Sequence, residues 1–335
     1  MPQLSVSALV PGFTEPQSSA VNPLAERAED EAVSWLWRIG FLVDEAQEDH
    51  LRSFRFGLYH GIATPSLGLD ALVLGMKWFC WGSLADDQYD NYDWGERDSR
   101  MCSVIRSART ILDGGAVPGA DPVVRGLAEF WPELIADLAP AARLRVARNF
   151  LDYLEAVRLQ NRFHVKGEVP DAATFLGLRR HTIAMIFQAD VLEALSGLHI
   201  PEALRSHRMF RELVWCFADI TAWHNDIYGL EKDIDDEQLC NTVLVVSASE
   251  GCPTEVAVER VVERAKERQR LFLHIEGELP ELASELGLGP DAVSRALALT
   301  QQLRAYAYAN LVWIEHTKRY DLDRPRIRGI FDNVL

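Results

Sequence analysis

Apolar positions recur three and four residues apart along most of the chain. The stretch LAERAEDEAVSWLWRIG begins after Asn22-Pro23 and stops at Gly40, and SLGLDALVLGMKWFCWGSL begins at Ser66. A polar or proline start, a glycine stop and helical spacing between them predict a helix in each case. The same pattern predicts helices over 99–112, 122–138, 141–165, 171–195, 201–230, 236–249, 253–276 and 290–316. Breakers separate them: DGGAVPGAD, KGEVPD, GLHIP, EGCPT and GLGP. No alternating strand pattern of useful length and no internal repeat is visible. About ten helices with short loops predict one all-α bundle over 25–335, with a ligand or metal site built from facing helices in its core. Residues 1–24 hold Pro2, Pro11, Pro16 and Pro23 and read as a disordered or extended leader.

Composition narrows the function. The chain has 335 residues, with 34 basic against 50 acidic side chains and a net charge of −16. That charge argues against a nucleic-acid surface or a generic anionic-membrane binder, so any anionic ligand must be held by local cations. The five cysteines are odd in number and lack CxxC spacing, as expected of reduced thiols. No signal-like segment or bilayer-length apolar run is present, which leaves a soluble, cytoplasmic protein with no membrane span as the expectation.

The acidic cluster LADDQYDNYDWG changes the picture most. Asp86 and Asp90 share a face at the C-terminal end of an apolar helix, where like charges repel and the macrodipole is already negative. Hard divalent cations such as Mg²⁺ suit such oxygen ligands. A second constellation, HNDIYGLEKD, puts Asn225, Gly229 and Asp233 on one stripe with Lys232 beside it. An amide oxygen and a carboxylate two turns apart can share one ion, and the ammonium can meet a phosphate oxygen. Arg179 and Arg180 in FLGLRRHTIAM, and Arg319-Tyr320 closing WIEHTKRY, add bases suited to phosphate.

The ordered set Asp86-Asp87-x-x-Asp90, Arg179, Asn225-Asp226-x-x-Gly229-x-x-Lys232-Asp233, Trp313 and Arg319-Tyr320 resembles bacterial class I terpene synthases, over about Trp35 to Tyr320. The resemblance implies a single class I terpenoid-synthase bundle with a central active-site cavity, three Mg²⁺ ions and a polyprenyl diphosphate substrate. Asp86 and Asp90, with Asn225 and Asp233, would be metal ligands. Arg179, Lys232, Arg319 and Tyr320 would act on the diphosphate. Asp87, Phe79, Gly82, Ser83, Thr182, Ile183 and Trp313 would contact the substrate. The family's second motif usually reads Asn, Ser or Thr, Glu; here Gly229 lacks an oxygen and Asp233 is one methylene shorter. Antiparallel homodimers are frequent among similar proteins.

The implied chemistry needs no nucleophilic Ser or Cys. Ions and bases stabilise the leaving diphosphate, the allylic carbon–oxygen bond ionises, and a closed apolar cavity shields the cation while it cyclises. Aromatic faces stabilise such a cation by roughly 0.5–2 kcal/mol per contact; Phe79, Trp313 and Phe56 are the candidates. Gly82 and Ser83 face the cavity below Asp86 where similar sesquiterpene synthases often carry bulky aromatics. This favours geranylgeranyl diphosphate slightly, with farnesyl diphosphate close behind. Two other readings are a chain-elongating prenyl diphosphate synthase, which should carry two DDxxD motifs, and a non-catalytic helical binding protein.

Overall fold

The computed structural model describes residues 21–89, 94–119 and 121–320. Among these the chain forms fifteen helices and no strand. The first half contains α1 (Ala25–Arg38), α2 (Glu45–Ser53), α3 (Phe56–Ala63), α4 (Leu69–Tyr89), α5 (Trp94–Leu112), α6 (Pro122–Ile135) and α7 (Pro140–Lys166). The second contains α8 (Ala172–Thr182), α9 (Met185–Leu195), α10 (Glu202–Arg205), α11 (Arg208–Tyr228), α12 (Leu230–Asp235), α13 (Thr242–Glu250), α14 (Thr254–Glu285) and α15 (Pro290–Ile314). Helix starts follow side-chain capping: Asp121 accepts from the Val123 amide ahead of Pro122, Asp171 from Thr174 and Asn241 from Val243.

The expected all-α bundle forms, with local differences: the helix expected over 201–230 is split between Glu202–Arg205 and Arg208–Tyr228, that over 236–249 starts only at Thr242, that over 253–276 runs on to Glu285, and that expected from 99 starts at Trp94. The helix expected over 171–195 is broken at Ile183-Ala184, where Ala184 takes a left-handed φ of 62°. No glycine or proline announces that break. Helices α2 and α3 lie where none was expected: α2 is polar and buries only Gln47 and Leu51, and α3 carries two glycines in eight residues. The last residues of the expected leader are pinned, because the buried Asn22 amide donates to the carbonyls of Thr64 and Leu67. Residues 1–20 of that leader lie outside the described residues.

Helices α9, α11 and α15 pack on one another, and α4 packs against α9. Trp78, Trp81, Phe130, Phe150 and Phe187 form an aromatic core between α4, α6, α7 and α9. The Trp81 indole lies so close to Gly126 that a Cβ there would stand 2.7 Å from its Cδ1, a close approach that only glycine permits. A buried ionic network holds α9 in place. Asp190 and Glu193 of α9 accept from Arg205 at 2.7 and 3.0 Å, and both also pair with Arg145 of α7.

Candidate active site

The sequence places Arg179 and Arg180 side by side, and the structure sends them to different carboxylates. Arg180 donates through Nε and Nη2 to Asp219 at 2.7 and 2.9 Å, and Arg268 of α14 reaches the same carboxylate at 2.7 Å. This fixes α8 against α11 and α14. One residue back, about 100° around the helix, Arg179 turns inward to Asp226, which stands two turns beyond Asp219 on α11. Its Nη2 lies 2.7 Å from Asp226 Oδ1 and its Nε 3.0 and 3.2 Å from the two oxygens. Asp226 also accepts from the Thr242 amide at 2.9 Å and the Thr242 hydroxyl at 2.5 Å. The carboxylate is buried and holds the guanidinium at the mouth of a cavity.

From that mouth a polar chain continues. Arg179 Nη2 donates to Asn225 Oδ1 at 2.9 Å, and Asn225 Nδ2 donates to the Tyr320 hydroxyl at 2.6 Å. Burial pushes the Tyr320 phenol up to about 12, so it stays a neutral hydroxyl. The turn at Gly229 separates α11 from α12, but its backbone bonds to Asn225 and Asp233, both 2.8 Å, keep Asn225, Gly229 and Asp233 in helical register. Asp233 accepts from Asn241 at 2.8 Å, with the Lys232 ammonium 3.8 Å from its other oxygen. Burial raises the Asp233 carboxyl above its ordinary range, against the pull of Lys232 and Asn241. A Cβ at Gly229 would lie 3.5 Å from the Tyr320 ring and 3.6 Å from Asp233, so the missing side chain leaves no wide gap.

The cavity behind this mouth has a volume of about 230 Å³. Its apolar walls come from Tyr59, Trp78, Phe79, Tyr153, Met185 and Trp313. Of the residues singled out in the sequence, Arg179, Lys232, Asp233, Asn225, Arg319, Tyr320, Phe79, Gly82, Ser83, Thr182, Ile183 and Trp313 all line it. The end of α15 is held down by a bond from Trp313 Nε1 to the Phe54 carbonyl at 2.5 Å, and the tail after it by the Arg319 guanidinium over the Phe54 ring at 5.2 Å. Phe56 is absent from the lining; it packs edge-on behind Phe79 at 4.9 Å and behind Trp313 at 5.8 Å. Asp86 and Asp87 belong to the last turn of α4, but their side chains, and all of Asp90, lie outside the described residues.

Gly82 is small, and an aromatic ring borders the space beside it. The Trp78 ring, four residues earlier on α4, lies 3.4 Å from where a Gly82 Cβ would stand. On the Gly82 side the cavity is thus bordered by the Trp78 ring. Sequence reading also missed the partners that hold the site together. Asp226 was visible as Asn225's neighbour, but the pairing with Arg179 depends on how α8 meets α11. Asn241 and Thr242 carry a legible signal, an Asn-Thr start of helix α13, that points to capping and not to Asp226 or Asp233.

An oxygen-bearing amide, a carboxylate and three bases at one mouth suit a hard divalent cation with an anionic ligand. The fold and site thus define a helical-bundle enzyme with an aromatic-walled chamber and a polar, metal-suited entrance. The family model described as terpene synthase family 2, C-terminal metal binding, matches residues 77–270, more than half of the chain. The chain belongs to that family: it is a terpene synthase, a lyase that works with a divalent metal. It is 28% identical over 309 residues to the (−)-delta-cadinene synthase of Streptomyces clavuligerus, covering 92% of each chain. It is 27% identical over 256 residues to the (+)-T-muurolol synthase ((2E,6E)-farnesyl diphosphate cyclizing) of Roseiflexus castenholzii, covering 74% of this chain and 76% of that one. The crystal structure of germacradien-4-ol synthase from Streptomyces citricolor shares the fold with a TM-score of 0.78 at 23% identity, over 91% of this chain and 99% of that one. A non-catalytic binding protein is thereby set aside. No helix among the described residues is long and apolar enough to cross a membrane.

Proposed function

We propose that the protein is a Mg²⁺-dependent cyclase of farnesyl diphosphate. The observation that carries this reading is the continuous polar chain Asp226–Arg179–Asn225–Tyr320 across the mouth of an aromatic-walled cavity. Asp226 orients Arg179, whose guanidinium can then donate to diphosphate oxygens when it releases Asn225. Lys232 and Arg319 line the same mouth and add charge on the leaving group. Asp86 and Asp90, together with Asn225 and Asp233, would hold three Mg²⁺ ions, with waters taking the coordination place that Gly229 cannot fill. When bound, the ions withdraw charge from the leaving diphosphate. Behind the mouth, Phe79 and Trp313 line the cavity, where aromatic rings can stabilise a cation and exclude water from it.

Trp78 supports the shorter chain. Its ring lies within van der Waals range of the Gly82 position and borders the cavity there, which supports a C15 chain over the C20 chain that the small residues alone favoured. The farnesyl diphosphate in the name of the T-muurolol synthase agrees with this choice. The test is incubation of the purified protein with geranyl, farnesyl and geranylgeranyl diphosphate separately, with Mg²⁺ or with EDTA, followed by gas chromatography–mass spectrometry. A cyclic C15 product and released diphosphate are expected with Mg²⁺ and neither with EDTA. Cyclic product from the C20 substrate alone would overturn the chain length. Elongation of farnesyl diphosphate with isopentenyl diphosphate, without cyclisation, would overturn the cyclase reading in favour of a prenyl diphosphate synthase.

Trp78 also supplies a direct test of chain length. Trp78→Leu is expected to raise the C20-to-C15 ratio of kcat/KM by about tenfold, the discrimination that a few methylenes in an apolar pocket provide. An unchanged ratio in a folded variant would show that the chain ends elsewhere.

A further inference from the structure

Three polar side chains interrupt the apolar interior of the cavity, one from each of three mutually packed helices. Gln188 of α9, Thr221 of α11 and Asn310 of α15 all line it, and all are buried. Each stands about one helical turn along its helix from another residue of the lining. Gln188 follows Ala184 and donates its backbone N–H to that carbonyl; Thr221 precedes Asn225 by four residues; Asn310 precedes Trp313 by three. All three therefore open onto the same cavity, each about one helical turn along its helix from another lining residue.

These groups are unevenly satisfied. Gln188 Oε1 accepts from Trp78 Nε1 at 2.7 Å, which fixes the amide, while its Nε2 has no partner. Asn310 Nδ2 likewise has no partner. Thr221 donates its hydroxyl proton to the Phe217 carbonyl at 2.9 Å, which leaves its oxygen lone pairs available. An unpaired buried N–H costs about 1–3 kcal/mol, and two of them in a hydrocarbon chamber have no value for binding an isoprenoid chain. They suit a small polar molecule with both donors and acceptors. A buried water requires roughly two to four such partners. Here Gln188 offers a donor, Thr221 an acceptor, and the Asn310 amide either one, according to which way it faces.

We propose that Gln188, Thr221 and Asn310 hold a water molecule inside the cavity and deliver it to the final carbocation, so that the main product is a terpene alcohol. This rests on the cyclase reading above. The allylic carbon–oxygen bond breaks with its electron pair on the diphosphate. After cyclisation a lone pair of the held water forms the new carbon–oxygen bond, and one water proton leaves for the released diphosphate. The sum is prenyl diphosphate plus water giving alcohol plus diphosphate, with no net oxidation or reduction. Thr221, as acceptor for a water proton, keeps a lone pair of that water turned toward the chain.

The experiment runs the Mg²⁺-loaded enzyme with farnesyl diphosphate in H₂¹⁸O, scoring diphosphate release separately from the extracted products. The expected result is a cyclic alcohol that carries the heavy oxygen. Asn310→Leu and the isosteric Thr221→Val are each expected to lower the alcohol-to-alkene ratio by about tenfold, the worth of one hydrogen bond to the captured water. Thr221→Val removes only a hydroxyl, so it stays informative if Asn310→Leu folds poorly. Diphosphate release with alkenes alone would overturn the water site and leave the cyclase intact. A labelled alcohol whose ratio is unmoved in both folded variants would overturn it too, because the water would then enter from elsewhere. Absence of diphosphate release would instead overturn the cyclase reading, and this inference with it.

Discussion

Asp226→Asn is expected to lower turnover by roughly a hundredfold to a thousandfold, the loss typical of removing one electrostatic support from a transition state, and to destabilise the fold as well. Every contact that the Asp226 carboxylate makes is with a donor: Arg179 Nε and Nη2, the Thr242 amide and the Thr242 hydroxyl. An amide in its place must aim an NH₂ group at one of those donors. It also leaves the Arg179 guanidinium without its countercharge in a buried site. Breaking a buried pair by removing one partner costs about 3–5 kcal/mol, readable as a lower urea midpoint. Arg179→Lys separates the two effects, since it keeps a positive charge near Asp226 but loses the planar fork that binds two oxygens at once. Turnover should fall comparably in Arg179→Lys with a smaller loss of stability. Wild-type diphosphate release from Asp226→Asn would mean that Arg179 does not need its orientation, and the reading of the mouth would fail.

This pairing also marks the limit of what was legible in the chain. Helical spacing and breakers located the long helices, because burying one apolar stripe requires that pattern wherever the helix packs. The mouth residues were legible because their chemistry is concentrated in a few ordered motifs. What was not legible is set by packing between helices. Arg145, Arg179, Arg180 and Arg205 look alike in the sequence, yet only Arg179 reaches the cavity, while the others close carboxylate networks that hold α8 and α9. The break that lets α8 bring Arg179 to the mouth depends on a left-handed Ala184, a conformation that costs roughly 1–2 kcal/mol outside glycine and has no local signal here. Gln188 and Asn310 are single amides within the apolar runs MIFQADVL and YANLVWI. A lone amide in such a run is a detectable irregularity, but only the fold shows that both face one chamber.

Removing either proposed metal ligand on the α11–α12 stripe is expected to lower Mg²⁺-dependent turnover by at least about a hundredfold, but the two changes should move the stability of the metal-free protein in opposite directions. Asn225→Ala leaves Arg179 Nη2 with one acceptor fewer and the Tyr320 hydroxyl without its donor. At about 1 kcal/mol for each hydrogen bond, the metal-free Tm falls. Asp233→Asn acts differently, because burial holds the native carboxyl above its ordinary range even with Lys232 3.8 Å away. A group whose folded pKa is raised binds its proton more tightly when folded, so its ionisation costs stability at neutral pH and that cost disappears as the pH falls through the raised value. Asparagine removes the cost. The metal-free Tm of Asp233→Asn should therefore exceed that of the wild type at neutral pH by roughly 1–3 °C, with the difference shrinking in acid. Mg²⁺ with inorganic diphosphate should reverse the order. Ligands at a hundred times their Kd stabilise a protein by about 2.7 kcal/mol, and that gain belongs to the wild type, whose carboxylate can meet a cation. A metal-free Tm that drops in Asp233→Asn would mean that Lys232 and Asn241 already satisfy the carboxylate. Its charge would then be structural, and the case for Asp233 as a ligand would be lost.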